Sequence, residues 1–180
     1  MKLFKNTFME LAITKAKEGL LDEEIPVGAL IVNKNNHILA LTNNQCLNFN
    51  DPTAHAEILA IREACKQINN YRLEGCILYC TIEPCSMCLG AIQHARIDSL
   101  YFGAYNYKFG GINKYNISSF SSVGARPSSP NLHIEDLNKQ FLNYPINHQL
   151  KIYSGFYEEE CKTLLQDFFK TKALKLNRSR

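Results

Sequence analysis

The sequence predicts an α/β fold built in layers, and three observations predict it. The apolar runs at 76–82 ("CILYCTI") and 99–104 ("SLYFGA") are short and uninterrupted, as in strands buried on both faces. The segments before and between them repeat apolar residues at helical spacing. The resulting order of helix, strand, helix, strand implies a parallel section of sheet covered by helices.

Taken in order, Phe4, Phe8, Leu11, Ala12, Ala16 and Leu20 lie three or four residues apart or adjacent and read as a first helix ending near Gly19. "VGALIVN" (27–33) and "HILALTN" (37–43) flank Lys34-Asn35-Asn36, which suits a tight hairpin. Ile58, Ile61, Cys65 and Ile68 give a second helix over 54–68, with Asp51 or Thr53 as its cap and Pro52 in the approach. "EPCSMCLGAIQHA" opens a third helix at Pro84, where the missing amide costs no hydrogen bond. Residues 110–149 hold Gly110-Gly111, a serine cluster at 118–122 and "ARPSSPN", and read as a long loop or lid. "QLKIYSG" (149–155) reads as a short edge strand, and 156–176 as a closing amphipathic helix. The chain reads as one domain over 1–180, with an insertion at about 112–140.

The composition narrows the class. A chain of 180 residues with 46% hydrophobic content can bury a core without staples. The net charge of +3 is only mildly basic, but no acid follows Asp167, while Lys170, Lys172, Lys175, Arg178 and Arg180 do. The seven cysteines are an odd number, the N-terminus lacks a secretory pattern, and no apolar run is long enough to span a bilayer. These features predict a cytoplasmic protein without a membrane anchor, whose thiols stay free or bind metal.

Two motifs carry chemistry. Cys85 and Cys88 share one face of the third helix, and the positive helix end favours their thiolates. A lone CxxC fits a redox pair, half of a structural zinc site or two core thiols; the order of elements is not that of thioredoxin. His55-Ala56-Glu57 opens the second helix, and the starts of both helices can converge at one sheet edge. His55, Cys85 and Cys88 then supply three zinc ligands and leave one tetrahedral position for water. Cys80 and His94 are the candidates for a fourth ligand, but one lies in an apolar strand and the other almost two turns along its helix. Zinc lowers the pKa of bound water from about 15.7 to about 7, and Glu57 lies close enough to His55 to carry the proton.

His55-Ala56-Glu57 followed by Pro84-Cys85-Ser86-Met87-Cys88 resembles the signature of zinc-dependent nucleoside and nucleobase deaminases, in which the glutamate is not a ligand. Within that group the chain resembles the bacterial tRNA-specific adenosine deaminase family. The likeness runs through "EIPVGALIV", "DPTAHAEILAIREA", "NYRLEGCILYCTIEPCSMCLGAIQHARI", "YFGA" and "GFYEEECKTLLQDFFK". It implies a three-layer α/β/α sandwich around a mixed sheet of about five strands, as in cytidine deaminases. It implies one zinc per subunit on His55, Cys85 and Cys88, Glu57 as general acid and base, and conversion of the wobble adenosine of a tRNA anticodon to inosine. It further implies that Asn44 hydrogen-bonds the flipped base, that Val27 and Ile25 pack on it, and that Ala56, Glu83 and Pro84 shape the pocket. Phe168, Phe169 and Lys170 are expected to meet the anticodon stem-loop, and the family's homodimer is expected here.

The chain departs from the family pattern after "FGA". Tyr105-Asn106 stands where Arg-Asp is common, followed by Tyr107, and Phe109 replaces the usual threonine. Asn106 removes a carboxylate, and the expectation is weaker discrimination against DNA. Two other readings share part of the pattern. A small-molecule deaminase acting on guanine or cytosine uses the same zinc and glutamate, while a non-catalytic tRNA-binding subunit usually lacks the glutamate.

Overall fold

A computed structural model describes residues 6–114 and 150–178. Phe4, Arg180 and the expected insertion beyond residue 114 lie outside the described residues. Five strands form one mixed sheet in the order β2-β1-β3-β4-β5. These are β1 (Gly28–Val32), β2 (Ile38–Asn43), β3 (Ile77–Ile82), β4 (Ser99–Ala104) and β5 (Lys151–Tyr153). β1 runs antiparallel to β2 and β3, whereas β3, β4 and β5 are parallel. This is the mixed five-stranded sheet that the resemblance implied.

Helices cover both faces. Along β1, Ala29 and Ile31 join a core with Ala56, Ala60 and Ala64 of α3 (Ala56–Ile68) and Leu89 and Ile92 of α4 (Ser86–His94). The alternate residues Leu30 and Val32 join Phe8, Met9, Ala12 and Ile13 of α1 (Asn6–Gly19) on the opposite face. The period of two along the strand thus feeds two cores. Close approach of α1 depends on Gly28, where a Cβ would lie 1.9 Å from the Ala12 carbonyl oxygen. Across the parallel strands, Tyr79, Tyr101 and Tyr153 stand in register and stack at ring separations of 5.1 and 4.5 Å. That stack ties the three-residue edge strand β5 to the sheet. The last helix, α6 (Glu158–Arg178), adds Cys161 to the α1 side.

The predicted hairpin is present, closed by Asn33, whose side-chain oxygen accepts the N–H groups of Asn35 and His37. Other expectations require correction. α3 starts at Ala56 rather than Ala54, and α4 starts at Ser86, so Pro84 precedes the helix instead of opening it. Three short helical pieces were not anticipated: a 3-10 turn at Leu20–Asp22, α2 at Cys46–Phe49 and α5 at Gly111–Lys114. Pieces of three or four residues are too short to show a hydrophobic period. α2 also means that α3 does not follow β2 directly.

Candidate active site

The antiparallel and parallel pairings bring the start of β1 and the ends of β2, β3 and β4 to one edge of the sheet. Two helices begin there, each with a candidate ligand at its N-cap position. His55 precedes α3 with extended backbone (φ −70°, ψ 150°), and Cys85 precedes α4 in the same way (φ −70°, ψ 172°). Neither side chain caps its own helix, so both are available to meet across the gap. The caps expected at Asp51 or Thr53 are absent. Asp51 instead accepts hydrogen bonds of 2.7 Å from both the N–H and the hydroxyl of Thr53, forming a turn that delivers His55.

The three ligand atoms converge. His55 Nδ1 lies 3.6 Å from Cys85 Sγ and 3.4 Å from Cys88 Sγ, and the two sulfurs are 3.6 Å apart. A tetrahedral zinc with Zn–S near 2.3 Å and Zn–N near 2.0–2.1 Å sets its ligands roughly 3.5–3.8 Å apart. The donor set therefore fits zinc in both chemistry and spacing. Among the described residues this group comprises His55, Cys85 and Cys88 only. Cys80 is buried within β3, and His94 is exposed at the last residue of α4, so neither joins it. The hydrogen bond between the two sulfurs pulls the Cys85 thiol down to about 4, while the same contact pushes Cys88 up. The Cys85 hydrogen bond likewise raises His55. Zinc binding requires thiolates and a neutral imidazole, so an ion held here would displace these protons.

Glu57, 2% exposed, sits in the first turn of α3. Burial pushes its carboxyl up, against the pull of its own backbone N–H and the His55 imidazole. It stands beside the ligand group without belonging to it, the position required of a proton carrier that does not bind metal.

The remaining predicted residues line the same edge. Asn44 is buried, and its N–H donates to the Val27 carbonyl at 3.0 Å. The N–H of Gln45 donates to Ala54 at 3.0 Å, and the Thr42 hydroxyl to Ala56 at 2.7 Å, which fastens the end of β2 to the start of α3. Val27 and Ala56 are buried, and Ile25 is exposed. Glu83 accepts the N–H groups of Asn106 and Ile112 at 3.0 and 2.9 Å, and Pro84 accepts that of Gly111 at 2.8 Å. A Cβ at Gly110 would lie 2.3 Å from the Glu83 carboxylate, so the glycine lets the chain pass over it.

The C-terminal residues divide. Phe168 is 9% exposed and Phe169 51%, so Phe169 is the ring that offers a free face. Part of the expected basic run is paired: Lys170 with Asp167 at 3.4 Å and Lys175 with Glu23 at 2.7 Å. The second pair brings the end of α6 beside the segment that leads to Ile25. Sequence reasoning missed Glu24, the carboxylate of Glu83 and the role of Gly110. The first two act on residues far along the chain, and Gly110 resembles any turn glycine. A groove of about 1200 Å³, lined by Leu41, Phe49, Leu59, Ile61, Tyr71 and Ala91 among others, lies elsewhere, and no ligand-group residue lines it.

Residues 3–104 match the family described as the cytidine and deoxycytidylate deaminase zinc-binding region. The chain is 40% identical to the tRNA-specific adenosine deaminase of Haemophilus influenzae, over 94% of its own length and 85% of the relative's. It belongs to that deaminase family. The deaminase is also 38% identical to the tRNA-specific adenosine deaminase of Aquifex aeolicus, covering 92% of this chain and 94% of that one. A solved structure from studies of A-to-I editing by tRNA:A34 deaminases at the wobble position superposes with a TM-score of 0.70. It shares 35% identity and covers 89% of this chain and all of its own. The deaminase is thus a zinc-dependent hydrolase with the cytidine-deaminase-like fold. No described helix is long and apolar enough to cross a membrane.

Proposed function

We propose that this deaminase converts the wobble adenosine of a tRNA anticodon to inosine, releasing ammonia. The observation that carries the reading is the ligand triangle of His55, Cys85 and Cys88, 3.4–3.6 Å on each side, with the buried carboxylate of Glu57 in the first turn of the helix that His55 precedes. Relatives named for this reaction, matching over nearly the whole chain, supply the substrate.

In this reading His55, Cys85 and Cys88 hold the zinc, which when bound acidifies a water molecule to a pKa near 7. Glu57, buried beside the ligand group, would carry a proton from the attacking water to the ring nitrogen next to the reacting carbon. It then passes the second water proton to the amino group. The C–O bond forms with the first proton transfer, the C–N bond breaks after the second and ammonia leaves, and Glu57 ends in the state in which it began. Asn44 holds the base edge, Ile25 and Val27 pack on the ring, and Ala56, Glu83 and Pro84 shape the pocket wall. On α6, Phe169 and Lys170 meet the anticodon loop, with Phe168 supporting them from the core side. The whole chain, 1–180, acts as one deaminase domain in the cytoplasm. A homodimer is part of the reading, supported by the exposed apolar side chains of Leu47 and Phe49 on α2 and of Tyr71 just after α3.

The test is incubation with an anticodon stem-loop bearing a wobble adenosine, with inosine measured by mass spectrometry. Glu57→Gln protein and free adenine, guanine and cytosine run alongside. Inosine made from the stem-loop only by the protein with Glu57 is expected. Deamination of a free base alone overturns the tRNA substrate, and silence on every substrate from zinc-loaded protein overturns the enzymatic reading.

A further inference from the structure

Glu24 is fully buried, and among the described residues its hydrogen-bond partners are three N–H donors rather than a cation. One oxygen accepts the backbone N–H groups of Leu47 and Asn48 at 2.6 and 3.0 Å, in the first turn of α2. The other accepts Nδ2 of Asn44 at 3.2 Å. The first pair of bonds explains a structural cap for α2. It does not explain why the second oxygen faces the side chain that the functional reading places against the base.

We propose that Glu24 is a positioning residue that holds the amide of Asn44 in one orientation and thereby sets which hydrogen-bonding atom Asn44 presents to the substrate base. The inference rests on Asn44 being a base contact. A primary amide can turn its oxygen and nitrogen end for end, and hydrogen-bond partners decide which way it points. A carboxylate oxygen accepts only, so it selects the amide nitrogen and commits it. The carbonyl oxygen of Asn44 is then directed elsewhere. Glutamine at position 24 can keep its own oxygen on Leu47 and Asn48, but it turns an NH₂ group towards Asn44. Asn44 must answer with its oxygen, and the donor and acceptor offered to the base exchange places.

Two measurements test this. The first is a double-mutant cycle in kcat/KM on the wobble-adenosine stem-loop, with zinc content checked for each protein. Glu24→Gln is expected to lower kcat/KM by about 10- to 100-fold, as does loss of a buried polar partner. In the Asn44→Ala background the same change is expected to do almost nothing. Additive losses overturn the positioning role, whereas an Asn44→Ala protein as active as the original overturns the base contact on which it rests. The second measurement needs no activity. Asn44→Asp sets two carboxylates face to face and lowers Tm, and adding Glu24→Gln restores a hydrogen bond and recovers it. Failure to recover overturns the contact even if the stem-loop proves not to be the substrate.

Discussion

The metal corner and the wall proposed to face the base share one edge of the sheet but are assembled in opposite ways. At the corner, local spacing does most of the work: Cys85 and Cys88 are three residues apart on one helix start, and Glu57 is two residues from His55. One long-range meeting, between the starts of α3 and α4, completes it. The wall has no such local unit. Glu24 reaches Asn44, Leu47 and Asn48, while Glu83 reaches Asn106 and Ile112, so each buried carboxylate staples two distant segments. The ligand group and Glu57 come from helix starts, which are rigid and well directed, and the residues proposed to recognise the base come from connecting segments that need buried polar staples to hold still.

This contrast is sharpest at Glu57, where the largest effect is expected. Glu57→Gln keeps the shape of the corner and removes the proton carrier. Turnover on the stem-loop is expected to fall by about 10²–10⁴-fold with zinc content unchanged. Loss of zinc from this variant would show that the carboxylate supports the metal corner rather than the chemistry. Zinc removal by a chelator is expected to abolish activity and lower Tm, because an ion bound to the folded state stabilises it by mass action. An unaltered melting curve would separate the ion from the fold.

The same contrast explains what can be read in the sequence. The layers are legible because β3 and β4 are uninterrupted apolar runs and α3 is periodic, and the corner is legible because its spacing is short. The wall is not. No pattern near "DEEIPVG" announces that Glu24 is buried under residues 44–48. The expected cap at Asp51 or Thr53 failed for a related reason. Residues of the right type for a helix start are used to build the turn before it, which frees His55 for the metal. The twin phenylalanines at 168 and 169 look alike in the sequence, and only packing separates them.

That separation gives a prediction of intermediate size. Phe169→Ala is expected to weaken stem-loop binding by about 1–3 kcal/mol if its face stacks on a base, with little change in Tm. Phe168→Ala is expected to lower Tm instead, since its ring is largely buried. Equal effects on binding would dissolve the distinction. For the staple at Glu83, Gly110→Ala forces a methyl group into a carboxylate already held by two N–H groups. A destabilisation of about 1–3 kcal/mol, read by denaturant melts, is expected from such overpacking. A neutral result would mean that the 106–112 segment can move away from Glu83.

The smallest effect is expected at Asn106, where the chain departs from its family's pattern. Its side-chain oxygen accepts the Phe109 N–H at 3.0 Å, and its own N–H is bound to Glu83. Aspartate keeps an oxygen in that place, so Asn106→Asp adds charge with little change of shape and tests the wall's electrostatics alone. The added carboxylate lies beside a turn that also carries the exposed Tyr107 and Phe109. If this turn faces the nucleic-acid backbone, the ratio of activity on a DNA stem-loop to that on RNA falls a few-fold while melting is unchanged. An unchanged ratio would place discrimination between the two nucleic acids away from this turn, leaving Asn106 as a turn cap whose neutral amide has no bearing on the choice.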